Sequence, residues 1–340
     1  TKDGFDLDLS FFDYYLFDKQ KSFYNQKLIN LFGPPRKRNT ILKKEHYEIA
    51  GSLQRSFTEI VFHLLDITKK KGGRSNKIVI AGGAAMNCVF NGLLDKNKIY
   101  NQNFVPPWPD DLGVSIGATY LENNNLNKRN SKDVQVYLGP SYDNKEILSL
   151  LNKYKLNFKK PKKISNYIAK KISEGFLIGW FQDKMEFTHR ALGNRSILAD
   201  PRKFEMQKKV NSAVKYRESF RPFAPATIEE KASEIFDISK KTKIPFMEKA
   251  VLVKKNWRKK IPAVVHVDGT ARVQTINKDF NKKFYNLINE FYKITNVPVL
   301  LNTSFNLNGE PIVMSPSDAI RTFHTCGLDI LVLQDYVVEK

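Results

Sequence analysis

Arginines set among aromatic residues, glycine and proline are the chemistry-bearing feature of this 340-residue sequence. The run Gly179-Trp180-Phe181-Gln182-Asp183-Lys184-Met185-Glu186-Phe187-Thr188-His189-Arg190-Ala191-Leu192-Gly193-Asn194-Arg195 carries two of them. Lys215-Tyr216-Arg217-Glu218-Ser219-Phe220-Arg221-Pro222 follows, then Asp268-Gly269-Thr270-Ala271-Arg272, then Asn302-Thr303-Ser304-Phe305-Asn306. A guanidinium in an apolar segment needs an anion, and its planar fork suits carboxylate or phosphate oxygens two at a time. For any one arginine, an ion pair with Glu186, Glu218 or Asp200 is the simpler account. Four of them together, with lysine and small polar acceptors in the same segments, suit a phosphorylated substrate or a nucleoside triphosphate. Ser304 has no nucleophile-elbow context and His324 no evident acid partner, so Ser304 reads as a nucleotide contact rather than a nucleophile.

Nearer the start, Lys77–Ala81 is a short β-branched run followed at once by Gly82-Gly83 and a helical stretch to about Leu94. Glycines between strand and helix let backbone approach a phosphate or ribose, and the helix start offers free N–H groups. A tight turn onto a sheet explains the same residues equally well, since neither GxGxxG nor a P-loop is present. Asp111, in Pro107-Trp108-Pro109-Asp110-Asp111, is either the N-cap of the next helix or a metal-ligating carboxylate. The histidines His46, His63, His189, His266 and His324 contain no HxxH or HxxxH pair that would complete a metal site.

The elements that must position these residues follow from periodicity. Glu45–Thr68 has the 3–4 spacing of an amphipathic helix, stopped at Lys71-Gly72-Gly73. Ser165–Glu174 and Lys278–Tyr292 read as helices, and Phe176–Phe181, Ala263–Val273, Val299–Asn302 and Ile330–Val338 as strands. Asn123–Asp133 is polar and reads as a linker. At 41% apolar and 27% charged the chain is globular in composition, and its length suits two domains. Cys88 and Cys326 form no CxxC, no apolar run reaches a membrane span, and the acidic opening TKDGFDLDLS is no signal peptide. A cytoplasmic location is expected. The formal charge of +21 comes from lysines scattered along the chain, which supports polyanion affinity without defining a nucleic-acid fold.

The segments GWFQDKMEFTHRALGNRSILADPR, NSAVKYRESFRPFAPA, DGTARVQTI and LLNTSFNLNGEPIV, in this order, are similar to the signatures of the nodulation and antibiotic O-carbamoyltransferases. AGGAAMNCVFNG and DDLGVSIGA resemble the nucleotide turn and last metal-ligand segment of a TsaD-like domain. The resemblance implies α/β and α+β architecture: part of an actin-like ATPase (TsaD-like) domain over 1–125, a linker at 126–134, and a YrdC-like mixed-sheet domain over 135–340. It implies that ATP with Mg2+ and carbamoyl phosphate give carbamoyl-adenylate in the rear domain. The front domain would pass the carbamoyl group to a hydroxylated acceptor near iron. Arg190, Arg221 and Arg272 would grip carbamoyl phosphate and the ATP phosphates, while Lys215, Asn302 and Ser304 hold the nucleotide. Gly83 and Asn87 would bind carbamoyl-adenylate, and Asp111 would be one iron ligand.

Two departures bear on these expectations. Thr188-His189 stand where the family has Gly-Pro, making His189 a proton donor or a neutral replacement. The family's amino-terminal half of the first domain, with its two histidine ligands, is not among these residues. The adenylation site is therefore expected complete and the transfer site half-built, with a separate amino-terminal partner or a homodimer as the alternatives. An RNA-associated role is the competing reading, to be recognised by steeply salt-dependent tRNA binding; no membrane or nucleic-acid partner is expected on the main one.

Overall fold

The computed structural model describes residues 1–14, 22–37, 40–72, 75–122, 134–218 and 220–340; the expected linker lies outside them except for Val134. Two compact units are present, Thr1–Lys77 with Lys98–Gln102, and Ile78–Asn97 with Asn103–Lys340. The first holds the helices Gln26–Phe32 and Lys44–Gly72. Ion pairs one turn apart, Lys44–Glu48, Arg55–Glu59 and Asp66–Lys70, support the longer helix. An apolar cleft of about 850 Å³, lined by Leu28, Ile29, Phe32, Ile41 and Ile49, opens in this unit.

Strand β1 (Lys77–Val79) pairs with β2 (Gln102–Phe104). The stretch after Ala84 is not one helix. A 3-10 turn, Gly83–Met86, ends at extended Asn87, and the helix Cys88–Asn97 starts anew with the Asn87 Oδ1 accepting the Phe90 N–H at 3.0 Å. That helix lies directly on backbone: a Cβ at Gly92 would come within 1.8 Å of the Ala250 carbonyl oxygen. Helix Leu112–Glu122 follows.

The rear part of this unit is a seven-stranded mixed sheet, which with its flanking helices makes the molecule mixed α/β. Its strands are β3 (Ile178–Phe181), β4 (Arg195–Ala199), β5 (Ala224–Ile228), β8 (Gln274–Ile276), β9 (Val299–Ser304), β10 (Ile330–Leu333) and β11 (Tyr336–Glu339). They run in the order β11-β10-β3-β4-β9-β5-β8, with β10/β3 and β5/β8 parallel and the rest antiparallel. Helices Ile164–Ser173 and Lys282–Thr295 pack against each other. Trp180, Phe181, Phe284, Phe291, Phe305 and Phe323 fill the core. A separate pair, β6 (Ala250–Leu252) with β7 (Thr270–Arg272), completes the unit.

Two expected strands differ, and one interior strand, β5, was not expected. Ala263–Val273 is a 3-10 turn, Pro262–Val264, then a break at Gly269 (φ +80°) before β7. Ile330–Val338 is a hairpin, turned at Gln334 with φ +51°. β5 is interior although it contains Pro225, which pairs opposite Leu301 with no N–H to give. The topology nevertheless gathers the chemistry. β4, β5 and β8 begin, and β3 and β9 end, at one edge of the sheet, where register places Phe181 by Arg195, Ser196 by Ser304, Ala224 by Asn302 and Ala226 by Gln274.

Candidate anion-binding site

One loop, 185–195, is clamped from within before it presents anything. Oε1 of buried Glu186 accepts the backbone N–H groups of Leu192 (2.7 Å), Asn194 (2.6 Å) and Arg195 (3.2 Å). Burial pushes this carboxyl up and those amides pull it down. Gln274 Nε2 donates to the Leu192 carbonyl at 2.9 Å, and Asn302 Nδ2 to the Ala191 carbonyl at 3.2 Å. Asn302, 1% exposed, therefore supports the loop from the sheet, with its Oδ1 left without a partner among the described residues. Arg195 is structural too: it donates to the carbonyls of Pro140, Gln182, Asp183 and Asn194 and lies 3.6 Å over the Phe181 ring.

The remaining cations behave differently. Lys215 closes a single π-type turn, Asn211–Lys215, and its Nζ is surrounded by oxygens. Ser304 O lies at 2.7 Å, Ser304 Oγ at 3.1 Å, Asn306 O at 3.0 Å and Asn306 Oδ1 at 2.6 Å. No carboxylate is among these partners, and burial, then the charge of Arg217, push the ammonium down to about 7. Arg217 is held at about 10 by burial and by Arg221, and stacks 4.6 Å from the Phe223 ring. Arg272 is lowered by burial and then by Arg190 and Arg217, with its Nε unsatisfied. Arg190 is lowered by burial, and both Arg190 and Arg272 feel Cys88 at the start of the front helix.

Repulsion thus links Lys215 to Arg217, Arg217 to Arg272 and Arg272 to Arg190 in an arc of partly buried cations, and none of them is in a salt bridge among the described residues. Such a charge distribution is costly unless an anion occupies it. Arg221 stands at the rim, half-exposed and 3.8 Å from Glu218. A cleft of about 610 Å³, lined by Thr188, His189, Ser304, Asn306, Glu310 and Arg321, shares with the arc the Ser304 and Asn306 side chains that bind Lys215.

A second, narrower cleft joins front and rear segments through Ala85, Met86, Pro109, His189, Arg190 and Glu248. Gly82, at φ +97°, makes the front turn and donates its N–H to the Pro109 carbonyl at 2.5 Å. Gly83 is exposed at that turn. Glu248 in this cleft is raised to about 7 by burial. Asp111 is exposed, while its neighbour Asp110 accepts the Leu112 N–H and binds His189. Among the described residues no three His, Cys, Asp or Glu side chains gather to hold a metal, so these residues do not by themselves fit the expected iron. Sequence reasoning passed over Arg217, Glu248 and Asp110. Arg217 could have been found from its place between Lys215 and Arg221; the other two gave no local signal.

The chain matches the family model described as Carbamoyltransferase C-terminus over residues 169–340, and that described as Carbamoyltransferase N-terminus over 9–120. It is 41% identical over 311 residues to nodulation protein NolO of Bradyrhizobium diazoefficiens, covering 90% of this chain and 57% of that protein. Against nodulation protein NolNO of Sinorhizobium fredii the identity is 39% over 313 residues, 90% of this chain and 46% of the relative. Nodulation protein U of Rhizobium fredii is 34% identical over 245 residues, 72% of this chain and 40% of its own. The chain spans about half the length of the curated relatives it matches.

Proposed function

The chain belongs to the carbamoyltransferase family, and from that premise we propose that its rear, YrdC-like region makes carbamoyl-adenylate from ATP and carbamoyl phosphate. The front segment is then part of a TsaD-like domain in which a protein of the relatives' full length carries the carbamoyl group to an acceptor hydroxyl. The observation that carries this reading is the arc of unpaired cations. Two polyanions repel one another, and bringing them together requires fixed positive charge in a desolvated place.

On this reading Lys215 and Arg217 hold the ATP phosphates, with Ser304 and Asn306 orienting the ammonium. Arg190 and Arg272 hold carbamoyl phosphate. Water cleaves that mixed anhydride to carbamate and phosphate. A carbamate oxygen then bonds to the α-phosphorus of ATP as the α–β bridge breaks and pyrophosphate leaves. Cations at the bridge stabilise the charge that develops on the leaving group. Magnesium would accompany ATP, and no step here is routed through it or through iron. The test is pyrophosphate exchange into ATP by the purified chain. Exchange that requires carbamoyl phosphate, and is lost in Lys215→Ala and Arg272→Ala with the fold intact, is expected. Exchange independent of carbamoyl phosphate, or unaffected by both substitutions, overturns the reading.

A further inference from the structure

His189 is exposed on a loop otherwise bound tightly from within, and its imidazole is committed to a distant partner. Its Nε2 lies 2.9 Å from Asp110 Oδ2 and 3.0 Å from Oδ1, although 79 residues separate the two in sequence. Asp110 belongs to the turn that leads into helix Leu112–Glu122 and that also receives the Gly82 N–H through the Pro109 carbonyl. The pair therefore fastens the loop bearing Arg190 to the turn backing the front glycines. Thr188 makes the connection stiff: its Oγ1 accepts the Arg190 N–H at 3.2 Å and donates to the Arg190 carbonyl at 2.6 Å. His189 also lines both clefts, one with Ser304 and Asn306, the other with Ala85, Met86 and Arg190. A partly exposed contact of this kind contributes little to stability, so its weight lies in what it positions.

We propose that His189 and Asp110 form a clasp across the two segments, with His189 as a positioning residue that sets Arg190 in the wall of the narrower cleft. The clasp thereby tunes the hold of Arg190 and Arg272 on their anion. The geometry carries the coupling; the anion's identity, carbamoyl phosphate, rests on the reading above.

Asp110→Asn keeps an oxygen for the Leu112 amide while removing the charge, and His189→Ala removes the imidazole. In the exchange assay each is expected to raise KM for carbamoyl phosphate about tenfold, leaving KM for ATP unchanged. The double variant is expected to be no worse than either single one, and His189→Lys to restore most of the loss. An unchanged KM for carbamoyl phosphate, an equal rise for ATP, or additive effects would overturn the clasp. If the unsubstituted chain catalyses no exchange, the adenylation reading fails, and the clasp is read from calorimetric binding of inorganic pyrophosphate. The same non-additive weakening supports it there; single variants that bind pyrophosphate as tightly as the unsubstituted chain overturn it.

Discussion

Arg195 and Arg272 show how little residue type says about role. Arg195 is wrapped by the carbonyl oxygens of Pro140, Gln182, Asp183 and Asn194, so its removal strands buried acceptors. Arg195→Ala is expected to cost about 3 kcal/mol or more in denaturant unfolding. Arg272 has an unsatisfied Nε and repelling neighbours, so Arg272→Ala is expected to leave stability unchanged or raised while abolishing anion binding. A large loss of stability in Arg272→Ala would contradict its assignment to the site. Lys215 supplies the pH dependence. Its pKa of about 7 lies below the ordinary lysine value, so the unfolded chain binds the extra proton above pH 7, and the group's contribution to stability rises with pH from there until the unfolded lysine also deprotonates. Binding an anion runs the other way, because it draws a proton onto the amine. ATP affinity is expected to be greatest below pH 7 and to fall by up to about tenfold per unit above it. Lys215→Arg should flatten that profile in a titration series, and identical slopes would exclude Lys215 from the site. Sequence context did mark Lys215 and Ser304 as partners in chemistry, but not that four oxygens of Ser304 and Asn306 crowd one ammonium.

Among the elements, the loop 185–195 bears the most constraint. Gly193 sits at φ +105°, and a Cβ there would fall 2.2 Å from the Phe284 ring. Gly193→Ala is therefore strained both in its backbone and against a core ring. It is expected to destabilise by at least about 2 kcal/mol, with thermal unfolding as the measurement; a near-neutral effect would mean the loop can shift without harm to the core. The helices Ile164–Ser173 and Lys282–Thr295 were legible because each buries a stripe repeated every 3–4 residues. β5 was not, since Pro225 argues against an interior strand and only the paired β9 and β8 make it one. Ala263–Val273 misled for the opposite reason: its apolar composition suits a strand, but Pro262 and Gly269 bend the backbone before and within it.

On the scale of the whole molecule, the charge of +21 invites any polyanion, yet desolvated, unpaired cations collect at one edge of the sheet. A ligand that neutralises them stabilises the folded chain by mass action. ATP at about 100 times its Kd is expected to add about 2.7 kcal/mol, seen as a raised melting midpoint that Lys215→Ala and Arg272→Ala abolish. No midpoint change with ATP, alongside steeply salt-dependent tRNA binding, would favour the RNA reading instead. By itself the sequence determined the family, through long ordered signatures, together with the helices and the set of cations from which the arc is drawn. Only the tertiary structure decided which arginines are paired and which are left facing one another, that Arg217 sits between Lys215 and Arg272, and that His189 reaches Asp110. Periodicity and motifs encode neighbours a few residues apart. A cation's role depends on which oxygens surround it, and those come from segments that meet only when the sheet closes its register.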